Sequence, residues 1–204
     1  MTQLLTEDAE PVNENHPNYR EGYAIIGLPA AGKSEAGEIL ADELDAINIE
    51  TGDLVRRGAR EHFDTPTDQL TSDELGDYST MRRETDGGDY VAQDTITELE
   101  AHDEFPERPA IVTGMRDTES PALFGEFFDS FEIVWVHAEF DTRLSRLQGR
   151  GRQDEADFEK GDLAKRDGRE SMWGTTDLAF MADAKIRNEN SLEAFRERVL
   201  EVVR

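Results

Sequence analysis

The stretch Gly27-Leu28-Pro29-Ala30-Ala31-Gly32-Lys33-Ser34 fits the pattern G-x-x-x-x-G-K-[ST], and it constrains the fold more than any other part of the chain. It follows the apolar run Tyr23-Ala24-Ile25-Ile26 and leads into Ala36, Ile39, Leu40 and Leu44, which repeat on one side of a helix. Strand, glycine loop and helix N-terminus in that order build a nest of backbone N–H groups that holds an anion. The loop residues Gly27, Leu28, Pro29, Ala30, Ala31 and Gly32 would wrap the phosphates of a nucleoside triphosphate. Lys33 would reach the β and γ oxygens, and Ser34 would offer its hydroxyl to Mg2+.

The remainder of the chain alternates in the same sense. Apolar runs at 24–26, 46–49, 110–112, 133–136 and 184–186 read as strands, the second alternating enough to lie near an edge. Helical periodicity covers 33–44, 88–101, 140–148 and 191–203. Nearly all-apolar strands between amphipathic helices predict an α/β fold, a five-stranded parallel sheet with helices on both faces. Residues 1–20 read as a flexible acidic tail, and 21–204 as one domain. Two stretches exceed a simple crossover. Residues 56–106 read as a helical insertion that binds an acceptor, and 149–172 as an arginine-rich lid, both lying over the sheet's edge outside the core.

The net charge is −25, and Lys33, Lys160, Lys165 and Lys185 are the only lysines. Acids spread along helices rather than in blocks predict a globular protein adapted to high salt, where the screening length falls to about 3 Å at 1 M. Such a charge argues against nucleic acid and membrane surfaces as partners. The chain lacks cysteine, which excludes disulfides and thiolate chemistry, and no run approaches a membrane span. A cytoplasmic monomer or homodimer is expected, and the scattered histidines 16, 62, 102 and 137 predict no metal cluster.

A GTPase would read its base with Asn-Lys-x-Asp, but Asn188 is followed by Glu189. A motor-type ATPase would end an apolar strand in Asp or Asp-Glu, whereas the third strand runs into Thr113-Gly114-Met115-Arg116. Phosphoryl transfer to a small molecule remains. Thr51-Gly52-Asp53-Leu54-Val55-Arg56 follows the second strand at the carboxyl edge of the sheet, where α/β proteins bind ligands. Asp53 is there either a base for an acceptor hydroxyl or a helix N-cap, and both readings are open. Arg56 and Arg116 would hold an anionic acceptor. Arg146 and Arg150 lie four residues apart beside Gly149 and Gly151, arginines suited to a transferring phosphoryl group, with Arg150 the catalytic candidate.

These segments, with "STMRRETDGGDYVAQ" at 79–93 and "KRDGRESMWGTTDLAFMADAKIRNENSLEAFRERV" at 165–199, resemble an archaeal P-loop family grouped near dephospho-coenzyme A kinases and adenylate-type nucleotide kinases. The resemblance spans 22–204 and implies a nucleoside-monophosphate-kinase type of fold, with ATP and Mg2+ as cofactors. By position it implies Arg146 near the adenine, Asn188 bordering the base, and Arg150, Arg152 and Arg166 near the phosphates. Arg56, Arg82 and Arg116 would face the acceptor, dephospho-coenzyme A or a nucleotide. Relatives usually carry Asp where Thr113 stands, and a glycine near Ala30 and Ala31. The loss of that acid keeps a second reading open, a regulatory protein that binds ATP without turnover. Trp173, Phe127 and Phe128 read as packing residues.

Overall fold

The computed structural model describes residues 19–149 and 159–203. The chain runs β1 (Glu21–Ile26), α1 (Lys33–Leu44), β2 (Ile47–Glu50), α2 (Thr51–Phe63), a 3₁₀ turn (Thr67–Gln69), α3 (Ser72–Asp86) and α4 (Tyr90–Glu100). It continues with β3 (Ala110–Thr113), α5 (Ser120–Phe127), β4 (Ser130–His137), α6 (Phe140–Gly149), α7 (Lys160–Met172), α8 (Thr175–Met181), β5 (Ala184–Arg187) and α9 (Leu192–Leu200). The five strands form one parallel sheet in the order β2-β3-β1-β4-β5, with the alternating second strand at an edge as expected.

Side chains alternate across this sheet, and each face has its own helical cover. Ala24, Ile26, Val112, Ile133 and Trp135 pack with Leu54 of α2, Ala92 and Leu99 of α4, Phe124 and Phe127 of α5 and Leu178 of α8. Tyr23, Ile25, Ile111, Val134 and Val136 face the other way, onto Ala36, Ile39 and Leu40 of α1 and Phe195 and Val199 of α9. Phe127 and Phe128 are buried, as their apolar pairing suggests.

The expected appendages differ from this picture in two places. Helix α4 lies within 56–106 yet belongs to the core layer, because Ala92, Ile96 and Leu99 share one face and the sheet needs a cover there. What stands over the edge is the end of α2 with α3, joined through a small cluster of Ala59, Leu70 and Tyr78. Helix α7, from the expected lid, buries Leu163 completely against Leu144, Leu147 and Ala30. The expected tail over 1–18 and lid residues 150–158 lie outside the described residues.

The chain leaves β1 toward the β2 side and leaves β3 toward the β4 side. The carboxyl ends of β1 and β3 therefore flank a crevice that no crossover covers, where an open α/β sheet binds its ligand. The loop 27–32 and the turn Gly114-Met115-Arg116 both open onto it.

Candidate functional site

Two glycines let the 27–32 loop close on itself. Gly27 has φ 148°, and a Cβ there would lie 2.2 Å from the Val136 carbonyl oxygen of β4. Gly32 has φ 108°, and a Cβ there would lie 2.2 Å from Asn188 Nδ2. That nitrogen donates to the Ala31 carbonyl at 2.9 Å. Arg146 donates to the Ala31 carbonyl at 3.3 Å, to Asn188 Oδ1 at 3.1 Å and to the Asn188 carbonyl at 2.9 Å. With the Ala31 carbonyl held on that side, the trans peptide turns the Gly32 N–H the opposite way, as an anion nest requires. Ala30 takes a left-handed φ of 60°, a conformation that costs a non-glycine residue about 1 kcal/mol.

Lys33 opens α1 and its Nζ donates to the Leu28 carbonyl at 3.0 Å. Burial lowers its pKa to about 8, with Arg116 and Arg166 pushing the same way and Glu170 and Glu50 opposing. Ser34 is exposed at the mouth of a cavity that Lys33, Glu50, Thr113, Arg116 and Arg166 also line. Helix N-terminus, lysine and hydroxyl fit a nucleotide's phosphates, and the Ser34 and Glu50 oxygens fit a hard divalent cation.

A second cavity adjoins the first, and Gly52, Arg56, Gly114, Arg116 and Arg166 line both. Val55, Leu75 and Val91 form its apolar wall, and Arg83, Arg169, Tyr90 and Trp173 complete it. The Arg83 guanidinium stands 4.9 Å from the Trp173 ring centre and that of Arg169 stands 5.8 Å away. Trp173 is thus more than packing, since it is half-buried and carries two arginines on its π-faces. Behind the shared wall, Glu170 of α7 is 1% exposed and pairs with Arg116 at 3.1 Å and Arg166 at 3.5 Å. Burial raises its pKa, but Arg116, Lys33 and Arg166 outweigh burial and hold the carboxyl below the ordinary range.

The structure thus brings Arg56, Arg116 and Arg166 to the loop and corrects two other placements. Asp53 is exposed, lines neither cavity, and accepts from Arg56 at 2.5 Å. Nor is it the N-cap: α2 starts at Thr51 and Glu50 occupies that position, leaving Asp53 in the first turn, where it complements the helix dipole. Arg82, expected at the acceptor, instead pairs with Asp86 and Asp94 and donates to Tyr78 at 2.9 Å. Its neighbour Arg83 lines the cavity, because successive helical residues point about 100° apart. Arg146 and Asn188, expected around the base, lie together as the brace behind the loop. Arg150 and Arg152 lie outside the described residues. His137 does cluster, its ring nitrogen and the carboxylates of Glu139 and Glu189 lying within 4.8 Å of one another. There Arg187 already supplies a cation, 3.0 Å from Glu139.

Glu50, Arg83, Arg169 and Glu170 were not singled out in the sequence, and Trp173 was expected only to pack. Glu50 had a usable signal, being the last residue of a strand at the carboxyl edge, and Glu170 stood four residues after Arg166 on one helix face.

Among the described residues, no helix is long and apolar enough to cross a membrane. A family model described as an AAA domain matches residues 24–166. The UPF0200 protein of Methanoregula boonei is 32% identical over 179 residues, covering 88% of this chain and 93% of that one. The UPF0200 protein of Methanoculleus marisnigri is 34% identical over 175 residues, covering 86% and 91%. Among solved structures, a shikimate kinase of Bacteroides thetaiotaomicron superposes with a TM-score of 0.59 at 16% identity, covering 90% of this chain and 98% of that one. A gluconokinase of Sinorhizobium meliloti gives 0.53 at 15% identity, covering 91% and 92%. At such identities these two speak for the fold alone, a P-loop sheet of the small-molecule kinase kind. Loop, sheet order and full-length relatives agree: the chain belongs to the UPF0200 family of P-loop proteins.

Proposed function

We propose that this protein is a kinase that transfers the γ-phosphoryl group of ATP, with Mg2+, to a small anionic acceptor. The reading rests on one observation: the phosphate-loop cavity and the second cavity, with its one apolar wall, meet at a wall formed by Arg56, Arg116 and Arg166. Converging cations between two ligand sites are what a transferring phosphoryl group requires. The acceptor oxygen forms its bond to the γ-phosphorus as the β–γ bridging bond breaks. ADP leaves with the electron pair and the acceptor's proton passes to water. Such a loose transition state asks little of a general base, so an exposed Asp53 is no obstacle.

The apolar wall and the arginine-flanked Trp173 suit an acceptor with both a flat apolar part and an anionic part. Nucleoside monophosphates and dephospho-coenzyme A meet that description; shikimate and gluconate meet only its anionic half. The regulatory reading rests on Thr113, which brings no carboxylate to the end of β3. ATP consumption against that panel separates the two. Stoichiometric product with one acceptor, lost in Lys33→Ala, supports the kinase. ATP binding without turnover on any acceptor supports the regulator.

A further inference from the structure

Glu50 ends β2 and stands in register with Thr113, which ends the neighbouring β3. Both line the phosphate-loop cavity with Lys33 and Ser34. Among the described residues, no side chain donates a hydrogen bond to the half-buried Glu50 carboxylate and none forms an ion pair with it. The nearby Lys33 ammonium donates instead to the Leu28 carbonyl. Thr113 is 1% exposed, and its hydroxyl has no hydrogen-bond partner among the described residues. Among the described residues, a carboxylate without a side-chain partner therefore shares a cavity otherwise built for anions, while the buried Thr113 hydroxyl packs against Gly37 of α1. A carboxylate in that place repels a triphosphate unless a cation lies between them. Magnesium is held by one or two carboxylates together with phosphate oxygens, and it keeps much of its water.

We infer that Glu50 is the acidic residue that positions hydrated Mg2+ on the bound nucleotide, together with Ser34, and that the acid serving the metal sits on β2 instead of β3. This rests on the proposed nucleotide site. It also removes the ground for a catalytically silent protein, because an uncharged Thr113 does not leave the cavity without a carboxylate.

The test is metal binding, read apart from turnover. Mn2+ affinity is measured by electron paramagnetic resonance on protein saturated with the β,γ-imido analogue of ATP, and nucleotide affinity by calorimetry with and without Mg2+. Glu50→Gln is expected to weaken Mn2+ binding about 10- to 100-fold, the usual consequence of losing such a partner. Its metal-free nucleotide affinity should be equal or tighter, since a repelling charge is gone. Glu50→Ser keeps a good N-cap for α2 and should lose Mn2+ binding as Glu50→Gln does, whichever folds better; Glu50→Asp should retain most of it. Wild-type Mn2+ affinity in a folded Gln or Ser variant overturns the inference. A wild-type protein that binds no nucleotide overturns the proposed site itself, a separate and distinguishable failure.

Discussion

Replacing Glu170 by Gln removes one negative charge from a place where three cations converge. The side chain is 1% exposed, with Arg116 at 3.1 Å and Arg166 at 3.5 Å, and Lys33 contributes at longer range. At an effective dielectric of about 20, each arginine pair carries a Coulomb attraction of about 5 kcal/mol. Desolvation of the carboxylate offsets much of this in the wild type, so the net worth of the cluster is small. The variant, however, retains the arginines without their anion, a situation that costs about 3–5 kcal/mol in buried pairs. Arg116 and Arg166 keep side-chain exposures of 30% and 21%, so water screens them and the low end, about 3 kcal/mol, is expected. For a chain of this length that corresponds to a melting point lower by about 6–12 °C.

Urea and thermal unfolding of the two proteins at pH 7 measure the loss. Two further readouts separate charge from shape. The folded carboxyl titrates below the ordinary glutamate value, so its stabilisation is complete above that value and vanishes as pH falls through the folded one. The gap between wild type and Glu170→Gln should therefore be constant from pH 7 to 5 and shrink below about 4. Saturating pyrophosphate or ATP should also narrow it, because the ligand supplies the missing anion to the same cations. A loss under about 1 kcal/mol, or a gap that persists undiminished at pH 3, refutes the electrostatic account of this cluster.

Three other outcomes follow from the site. Lys33 titrates near pH 8 in the free protein and phosphates favour its ammonium form, so nucleotide binding above pH 8 must take up a proton and weaken by up to about tenfold per pH unit. Calorimetry in two buffers of different ionisation enthalpy checks this, and identical heats at pH 9 would sink it. Arg83→Ala should raise the KM for the acceptor about tenfold or more, whereas Arg82→Ala should leave KM unchanged and cost about 1 kcal/mol of stability; the reverse pattern would misplace the cavity. A net charge of −25 should make the fold depend on salt, so that thermal unfolding below about 0.1 M KCl occurs well under its temperature in 2 M KCl. Full stability in dilute buffer removes the proposal of salt adaptation.

Much of this was legible in residue order because it is locally encoded. The strand, glycine loop and helix at 23–44 occupy one continuous stretch, and their periodicity and glycine positions need no distant partner to be read. The inner strands β1, β3 and β4 stood out for a similar reason, since cover on both faces makes their central residues apolar in succession, whereas the edge strands β2 and β5 alternate. Less visible was α4, whose pattern was readable but whose place in the core depended on an exposed sheet face elsewhere in the chain.

The sequence by itself determined the strand, glycine loop and helix over 23–44, a pattern suited to a phosphate, and supplied the arginines that the proposed site uses. Only the tertiary structure decided which side chains face the cleft, and the reasons are geometric. Helix α2 begins at Thr51, which turns Asp53 out to solvent and leaves Glu50 at the strand end as the carboxylate in the cavity. One step along α3 rotates the side chain about 100°, which admits Arg83 and excludes Arg82. Glu170 meets Arg116 across a long stretch of chain because α7 packs back over the crevice, and no local pattern records which cation a distant acid will find.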